Sequence, residues 1–427
     1  MKICLYIFQK NQRLYDNPSL YYAYKNFDRV IPIIIYKDRA NGIECDDRQE
    51  MGVFRKKFMT ESILDLEFQL VKEGIDLIIL NDDIHLEDNI REICQTHHIH
   101  HTITSYPRGF IACELLGMIS QFTSVYTCED DSLLQIEDLP FPVHQLPDTF
   151  TNFRKKVEKS MILRELIPKP LFSPYTNQHG FGIKLDPVNI DRPNMASFLL
   201  PGGEIQGLKQ LNYYIWESES IVTYKKTRNS FFGSDFSSKF SPFLAVGNLS
   251  ANKVHAAIKE FEEMVTKNDS TYWLIFELLW REFFFLVSEK YRYRIFLKGG
   301  ILDKDVSYQN DMTLLKKWRT ATTDDDLVNA NMKELITTGY MSNRGRQIVA
   351  SYLIHDLNID WRYGASFFEK HLIDYDVTQN WCNWMYIAGV GNDSRPKGFD
   401  IDFQKKRYDP ASTYSTQWKN VNIKSII

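Results

Sequence analysis

The sequence predicts an α/β domain with a Rossmann-like parallel sheet followed by an all-α domain, and three observations carry this prediction. Up to about residue 125, apolar runs of strand length alternate with amphipathic segments, which is typical of a parallel sheet covered by helices. Prolines then accumulate from Pro140 to Pro201, as they do in connectors. After Gly207 the apolar residues recur mainly at helical spacing. The predicted units are residues 1–125, 126–206 and 207–427.

Composition indicates a globular protein, with 44% hydrophobic and 25% charged residues among 427. No run approaches the roughly 18 uncharged apolar residues of a membrane span, and MKICLYIF reads as a strand rather than a signal peptide. We therefore expect a cytoplasmic protein without a membrane partner, and a monomer by default. The six cysteines contain no CxxC pair, which argues against a zinc site or a disulfide framework. The net charge of -4 restricts any nucleic-acid site to a local basic patch.

In the first unit we predict four strands and one long helix. The predicted strands are ICLYIF, VIPIIIY, IDLIIL and HHTITSY. The helix covers Glu50 to Glu73, and its predicted inward side chains are Phe54, Phe58, Ile63, Leu66 and Leu70. No GxGxxG follows the first strand, so a Rossmann-type dinucleotide site is not predicted. The histidines between His97 and His101 straddle a predicted helix end and strand start, so their rings diverge and we predict no metal site.

The stretch from Thr338 to Arg395 contains most of the candidate functional residues. Apolar residues at helical spacing surround charged and amide side chains, so the stretch predicts buried helices that carry charge inward. Buried charges must be paired, and Arg346 with Asp374 or Asp376 is a natural pair. Such a pocket suits a planar heteroaromatic ligand with polar edges, and the alternative is an ordinary ion pair inside a helical domain. The polar residues are Asn343, Arg344, Arg346, Asp374, Asp376 and Asn380.

Four segments of this stretch, MSNRGRQ, DWR, IDYDVTQN and NWMYIAGVGND, resemble the flavin-binding core of the photolyase/cryptochrome family, and in particular its DASH branch. The resemblance implies that the helical domain binds FAD. It places Asn380 beside N5 of the flavin, where photolyases have Asn and plant cryptochromes have Asp. By the same resemblance, the FAD-binding residues of this stretch are Asn343, Arg346, Asp374, Asp376 and Asn380.

Two earlier segments extend the predicted cofactor site. In SSKFSP, serine hydroxyls and free N–H groups at a helix start can hold an anion, or can simply cap the helix. The segment resembles the family's flavin-diphosphate site, with Tyr224 upstream of Ser237, Ser238, Lys239, Phe240 and Ser241. Farther on, Glu277 and Arg281 are four residues apart on a predicted helix and can pair. In the family, ELLWR brings Arg281 to the flavin, while Glu277 and Trp280 face the DNA lesion.

The activity that the resemblance implies is blue-light-driven repair of cyclobutane pyrimidine dimers, preferentially in single-stranded DNA, as in a DASH-type deoxyribodipyrimidine photolyase. Excited, fully reduced FAD gives an electron to the dimer, the ring opens, and the electron returns. The implied lesion pocket consists of Glu277, Trp280, Gln347, Trp384 and Tyr386, and the candidates for phosphate contacts are Arg344, Arg395 and Lys397.

Tryptophans are concentrated in the second half, with six of the eight lying between Trp273 and Trp384. Trp384 and Trp361 match the inner members of the family's electron-transfer chain, and Tyr308 takes the third position, with Trp381 as a possible branch. Plain core packing is the alternative for each ring.

The start of the chain departs from the family. FQKNQRLYDN resembles the opening signature, but Gln9 and Asn11 replace the usual Arg and Asp. An acidic motif is usual after the strand near Thr102, and here the sequence is YPRGFIACE. These departures count against a folate antenna (methenyltetrahydrofolate), which many family members carry.

Two other functions stay open. A blue-light photoreceptor or DNA-binding regulator would use the same flavin without significant repair, although Glu277, Trp280 and Asn380 favour repair. Repair of the (6-4) photoproduct would need a histidine in the lesion pocket, for which His355 is the candidate without a motif match.

Overall fold

The computed structural model describes residues 1–40, 49–108, 110–190, 200–393, 395 and 398–423. Its strands are β1 (Ile3–Phe8), β2 (Arg29–Tyr36), β3 (Arg39–Ala40), β4 (Gln49–Glu50), β5 (Ile78–Asn81), β6 (His101–Ser105) and β7 (Ser124–Cys128). Five of them form one parallel sheet in the order β5-β2-β1-β6-β7, while β3 and β4 form a short antiparallel pair. The central register sets Ile7 opposite Ile33 and Thr104.

Within the described part of the first 125 residues, four helices accompany this sheet, as the βαβ rhythm predicts. They are α1 (Pro18–Asn26), α2 (Val53–Lys72), α3 (Leu86–Thr96) and α4 (Phe110–Ile119). The predicted inward side chains of α2 are all buried. The strand β7 was not predicted, because it lies at the sheet edge and its residues are mostly polar and partly exposed.

A connector with little regular structure follows. Up to residue 190 it contains two 3₁₀ turns, at Ile136–Asp138 and Val143–Gln145, and one helix, α5 (Phe150–Ser160). The helix begins at Thr149, whose hydroxyl accepts from the N–H of Asn152, and it buries Phe150, Phe153 and Val157.

The rest of the described chain is helical, which confirms the predicted fold class. Its α-helices are α6 (Glu204–Asn212), α7 (Tyr224–Thr227), α8 (Ser241–Val246), α9 (Ala251–Met264), α10 (Asp269–Tyr291), α11 (Met312–Arg319), α12 (Asp326–Thr338), α13 (Asn343–Ser351), α14 (Trp361–His371), α15 (Val377–Ala388), α16 (Ile401–Tyr408) and α17 (Thr413–Lys419). Short 3₁₀ and π turns connect several of them. The domain boundaries at residues 125 and 206 stay predictions. No helix among the described residues is long and apolar enough to cross a membrane.

The loop after β1 packs against the end of α8 and so joins the sheet to the helices. Arg13 is buried in this contact and donates to the carbonyl oxygens of Asp16, Asp130 and Gly247. A side chain at Gly247 could not be accommodated, because its φ is +81° and a Cβ there would lie 2.0 Å from the carbonyl oxygen of Lys10. This close approach brings Lys10 to the polar centre of the helical domain.

Candidate functional site

An ion pair between Arg346 and Asp374 forms the centre of the site. Arg346 lies in the first turns of α13, which Ser342 caps, and Asp374 lies in the turn between α14 and α15. The Nη2 atom of Arg346 is 2.8 Å from Oδ2 of Asp374, which also accepts from the Ser241 hydroxyl at 2.6 Å. The second oxygen of this carboxylate, Oδ1, is buried and has no partner within the described residues.

Asp376 forms its ion pair with Lys10 and not with Arg346. It caps α15 by accepting from the N–H of Gln379 at 2.9 Å, and its Oδ2 lies 2.5 Å from Nζ of Lys10. Burial raises the pKa of Asp376, but the charge and hydrogen bond of Lys10 outweigh burial, so the pKa is lowered. One turn later, Nδ2 of Asn380 donates to the carbonyl of Ala365 at 2.9 Å. Of the two partners predicted for Arg346, the structure therefore selects Asp374.

The SSKFSP segment leads into α8, with Pro242 in the first turn. The hydroxyl groups of Ser237 and Tyr340 are 3.4 Å apart, and the carbonyl of Ser238 accepts from Gln210. Tyr224 is buried upstream as the first residue of α7, and the Phe240 ring meets Tyr214 edge-on.

Lys239 is buried behind this segment, and only 3% of the residue is exposed. Its φ of 56° is in the left-handed region, and its Nζ lies 4.3 Å from the centre of the Tyr340 ring. Burial lowers the pKa of Lys239 to about 7. Glu334 of α12 is part of the same cluster, where burial raises its pKa to about 7 and the Tyr414 hydroxyl donates to it at 2.6 Å. Sequence reasoning missed Glu334 and Tyr414.

The expected pair between Glu277 and Arg281 does not form, although both residues lie on α10. Nη1 of Arg281 donates to the carbonyl of Asp131 at 2.6 Å and lies 3.2 Å from the carboxylate of Glu282. Glu277 pairs instead with Arg228, which follows α7. The expectation was wrong because partners outside the four-residue spacing compete for both side chains. The buried carboxylate of Glu282 needs a cation more than the partly exposed Glu277 does.

Aromatic rings surround the outer end of this cluster. Trp280 stacks on Phe150 of α5, with ring centroids 3.8 Å apart, and meets Tyr386 of α15 edge-on at 6.0 Å. On α13, Oε1 of Gln347 and Nε of Arg344 are buried and have no hydrogen-bond partner in the described chain. Burial lowers the pKa of Arg344, whose guanidinium lies 5.0 Å from the Tyr408 ring.

Three predicted polar residues lie toward solvent or cannot be placed. Asn343, the first residue of α13, is exposed. Arg395 is exposed and pairs with Asp393 at 2.9 Å. Lys397 lies outside the described residues. His355 is also exposed, with its Nε2 3.2 Å from the carbonyl oxygen of Ile387.

Comparison with known proteins identifies the family to which this chain belongs. The family model described as the FAD binding domain of DNA photolyase matches residues 273–421, and the model described as DNA photolyase matches residues 4–171. Cryptochrome DASH of Synechocystis sp. is 39% identical over 96% of this chain and 86% of its own length. This chain belongs to the photolyase/cryptochrome family.

Further comparisons support the same family and fold for this photolyase/cryptochrome protein. Cryptochrome DASH of Xenopus laevis is 36% identical over 98% of this chain and 82% of its own length. The crystal structure of the Synechocystis sp. cryptochrome superimposes with a TM-score of 0.90 at 36% identity, covering 100% of this chain and 91% of that one. A bacterial class III photolyase from Agrobacterium tumefaciens shares the fold, with a TM-score of 0.84 at 23% identity.

FAD is the cofactor of this family's helical domain, and the residues present fit it. The free Oδ1 of Asp374 is a buried acceptor for an N–H group of a heteroaromatic ring. The hydroxyl group of Ser237 and the ammonium of Lys239 are donors of the kind that a diphosphate requires. Polar groups for the flavin ring and for the diphosphate therefore lie in one helical domain.

The predicted tryptophans of this photolyase/cryptochrome chain are buried in two groups. Trp384 lies edge-on to Phe368 at 5.1 Å and to Trp318 at 6.3 Å. Trp361 lies edge-on to Trp381 at 5.5 Å, and its indole N–H donates to the carbonyl of Lys298 at 3.0 Å. The ammonium of the same Lys298 is 5.6 Å from the Tyr308 ring. Burial raises the pKa of Tyr308 to about 12.

Arg108 occupies the region where the family's acidic antenna motif is usual. Its guanidinium is buried and lies 2.9 Å from Glu129 and 2.8 Å from Asp131. The ring of Phe285 lies 5.0 Å from Arg108 and 4.4 Å from Arg281, so one buried ring contacts both guanidinium groups. These contacts connect Arg108 to Arg281, the arginine that was predicted to contact the flavin.

Proposed function

We propose that this protein is an FAD-dependent, DASH-type photolyase that repairs cyclobutane pyrimidine dimers under blue light, preferentially in single-stranded DNA. The observation that carries the proposal is the direct contact between α10 and α15. Gln379 of α15 donates to the carbonyl of Arg281 at 2.9 Å, and Tyr386 of α15 meets Trp280 of α10. These two helices therefore bring the proposed cofactor residues and the proposed lesion residues together.

On the cofactor side, each residue has a binding or positioning role. Bound FAD, reduced and excited by light, supplies the electron that opens the dimer and takes it back afterwards. Asp374, fixed by Arg346 and Ser241, accepts a hydrogen bond from the flavin ring. Asn380 offers a neutral amide beside N5, so no carboxyl proton is available there. The further cofactor contacts are assigned to Tyr224, Ser237, Ser238, Lys239, Phe240, Arg281, Asn343 and Asp376.

On the lesion side, the residues must hold a dimer that has left the base stack, which is easiest from a single strand. Trp280, Tyr386 and Trp384 offer aromatic faces for the pyrimidine rings. The carboxylate of Glu277 accepts from a ring N–H, and Gln347 contributes its buried, partner-free Oε1. Arg344, Arg395 and Lys397 are assigned to the flanking phosphates.

Trp384, Trp361 and Tyr308 are assigned to the path by which electrons enter from the surface. Tyrosine loses its proton on oxidation, and burial makes that loss harder at Tyr308. We expect Tyr308→Trp to speed photoreduction with an external thiol by about 10-fold, the effect of about 1.4 kcal/mol of barrier, and Tyr308→Phe to slow it. The measurement is the loss of the oxidised flavin's visible absorbance under blue light. Equal rates in all three proteins would remove Tyr308 from the path.

FAD affinity should depend on pH through Lys239. The buried lysine has a pKa of about 7 in the FAD-free protein, because burial outweighs the nearby carboxylates of Glu334 and Asp374, and a diphosphate beside it raises that pKa. Binding therefore takes up a proton at Lys239, and that proton alone makes affinity fall as the pH rises from about 7 to about 9, by at most about tenfold per unit. The pKa of Glu334 is also about 7, and a diphosphate nearby would raise it as well, so this carboxyl group adds to the proton uptake. Equilibrium titration with FAD at several pH values should show a shallower dependence in Lys239→Gln, and an unchanged slope would contradict this assignment.

The test of the function compares two forms of one substrate. Chemically reduced protein is illuminated with a dimer-containing oligonucleotide, single-stranded and double-stranded in parallel, with a dark control. We expect light-dependent restoration of pyrimidines mainly in the single strand. Equal rates in both forms would contradict the strand preference. Absence of repair in both, with FAD bound, would leave the light-sensing alternative.

A further inference from the structure

Three aromatic side chains form a stripe along one face of α10. Trp273, Phe276 and Trp280 follow one another at intervals of three and four residues, so they lie one above the other. The rings of Trp273 and Phe276 stack with centroids 4.7 Å apart, and Trp280 stacks on Phe150. We refer to Trp273, Phe276 and Trp280 as the α10 stripe.

The stripe is not the buried face of the helix. Leu274, Ile275, Leu278 and Leu279 form that face, and each is at most 5% exposed. The three stripe residues keep an intermediate exposure. An aromatic row that the protein leaves partly open on a helix with a complete apolar core face indicates a binding surface.

Cations from two other elements lie against the stripe. The guanidinium of Arg154, on α5, is 5.5 Å from the Phe276 ring. The ammonium of Lys225, on α7, is 4.7 Å from the Trp273 ring, and the guanidinium of Arg228 is 5.9 Å from it. Aromatic faces beside Lys and Arg are the combination with which proteins bind single-stranded nucleic acid, because bases stack and phosphates are neutralised.

An unsatisfied donor points to a ligand at the same place. The indole N–H of Trp273 is buried and has no hydrogen-bond partner within the part of the chain that the structure describes. Indole donors in such positions usually find an acceptor. A phosphate or base oxygen would provide one.

We propose that the α10 stripe binds the single-stranded nucleotides that flank the lesion, with a base on Trp273 and its phosphate beside Lys225 or Arg154. The proposal rests on the proposed function, in which Trp280 contacts the dimer. Trp273 lies seven residues away, about 10 Å along the helix, so it lies outside the pocket that takes the dimer itself. A base can stack there only when it is unpaired, which gives a physical origin for a preference for single strands.

The test uses the FAD-loaded protein and two ligands, a pyrimidine-dimer dinucleotide without flanks and a dimer-containing single strand of about ten nucleotides. Dissociation constants are measured in the dark. We expect Trp273→Ala to weaken binding of the longer strand about 10-fold, equivalent to about 1.4 kcal/mol, and to leave the dinucleotide unchanged. Trp273→Tyr should restore most of the loss, because it keeps an aromatic face. Lys225→Gln should reduce the slope of log Kd against log salt by about one.

Trp216→Ala is the matched control, because Trp216 is also a partly exposed tryptophan of the helical domain but lies on another segment, against Phe261. FAD content and thermal midpoint show whether each variant folds. Equal losses on both ligands, or no loss on the longer strand, would overturn the proposal while leaving repair intact. If the wild-type protein neither binds nor repairs either ligand, the proposed function fails and the stripe proposal fails with it.

Discussion

Replacing Arg346 with methionine is expected to remove FAD from the protein almost completely. The change leaves Asp374, of which the side chain is 2% exposed, without its cation, while Arg346 itself is 26% exposed. Breaking such a pair costs about 3 kcal/mol of stability at the lower end of the range for buried pairs, and because the unpaired carboxylate is also the proposed flavin contact, we expect roughly 100-fold weaker FAD binding. The measurement is the ratio of FAD to protein after purification, followed by titration of the FAD-free variant with FAD.

Arg362→Met provides the control for that experiment. Arg362 pairs with Asp360 at 2.8 Å with side-chain exposures of 29% and 4%, close to those of the Arg346 pair. The control should therefore lose a similar amount of stability and still retain FAD. If both variants lose FAD equally, the Arg346 effect is one of general destabilisation and the assignment of Asp374 to the cofactor is wrong.

Glu277→Gln should lower the rate of dimer repair by roughly 10- to 100-fold, the cost of one charge-assisted hydrogen bond of about 1.5–3 kcal/mol. The amide keeps the size of the side chain but loses the charge that accepts from a pyrimidine N–H. FAD content should stay unchanged, because Glu277 pairs with Arg228 and not with the proposed flavin contacts. Single-turnover repair on a dimer-containing single strand separates this effect from product release.

Glu73→Gln is a suitable comparison, because the Glu73 carboxylate is 32% exposed in its pair with Lys169 and that of Glu277 is 30% exposed. The comparison variant should repair like the wild type. A Glu277→Gln protein with unchanged repair would contradict the role of this carboxylate at the lesion.

The sheet could be predicted because parallel strands that are buried on both faces appear as continuous apolar runs. Runs such as VIPIIIY have that form, and the structure places them in β1, β2 and β5, whereas β6 is the mostly polar, buried segment HTITS. The edge strand β7 is partly exposed and mostly polar, so it has no apolar run from which a strand could be predicted. The motifs after residue 338 correctly indicated the family and FAD, because their order and spacing are specific.

Partners within the site were harder to predict, because they come from remote parts of the chain. Burial required that Arg346 be paired, and Asp374 was one of the two candidates. Lys10, which is 366 residues from Asp376, decides between them by occupying the other carboxylate. The opening signature differs from the family at Gln9 and Asn11, but no feature of the sequence marks Lys10 between them as the partner of Asp376.

The spacing of Glu277 and Arg281 predicted an ion pair that does not form, again because partners from other parts of the chain compete. Four residues on a helix permit a pair, but the competing partners, Arg228 for Glu277 and the carbonyl of Asp131 for Arg281, are set by how α7 and the connector pack on α10. Glu334 and Tyr414, 80 residues apart, had no motif to reveal their contact. Sequence pattern fixes which side chains need partners, and tertiary packing decides which partners they obtain.

The most direct test illuminates the fully reduced, FAD-loaded protein with a dimer-containing single strand under anaerobic conditions. Pyrimidine formation and flavin absorbance are followed together. The proposed function predicts that pyrimidines accumulate over many turnovers while the flavin spectrum before and after illumination is the same, because the electron returns. Flavin absorbance that changes in light with no pyrimidine formed would contradict repair and identify the protein as a light-responsive flavoprotein of another kind.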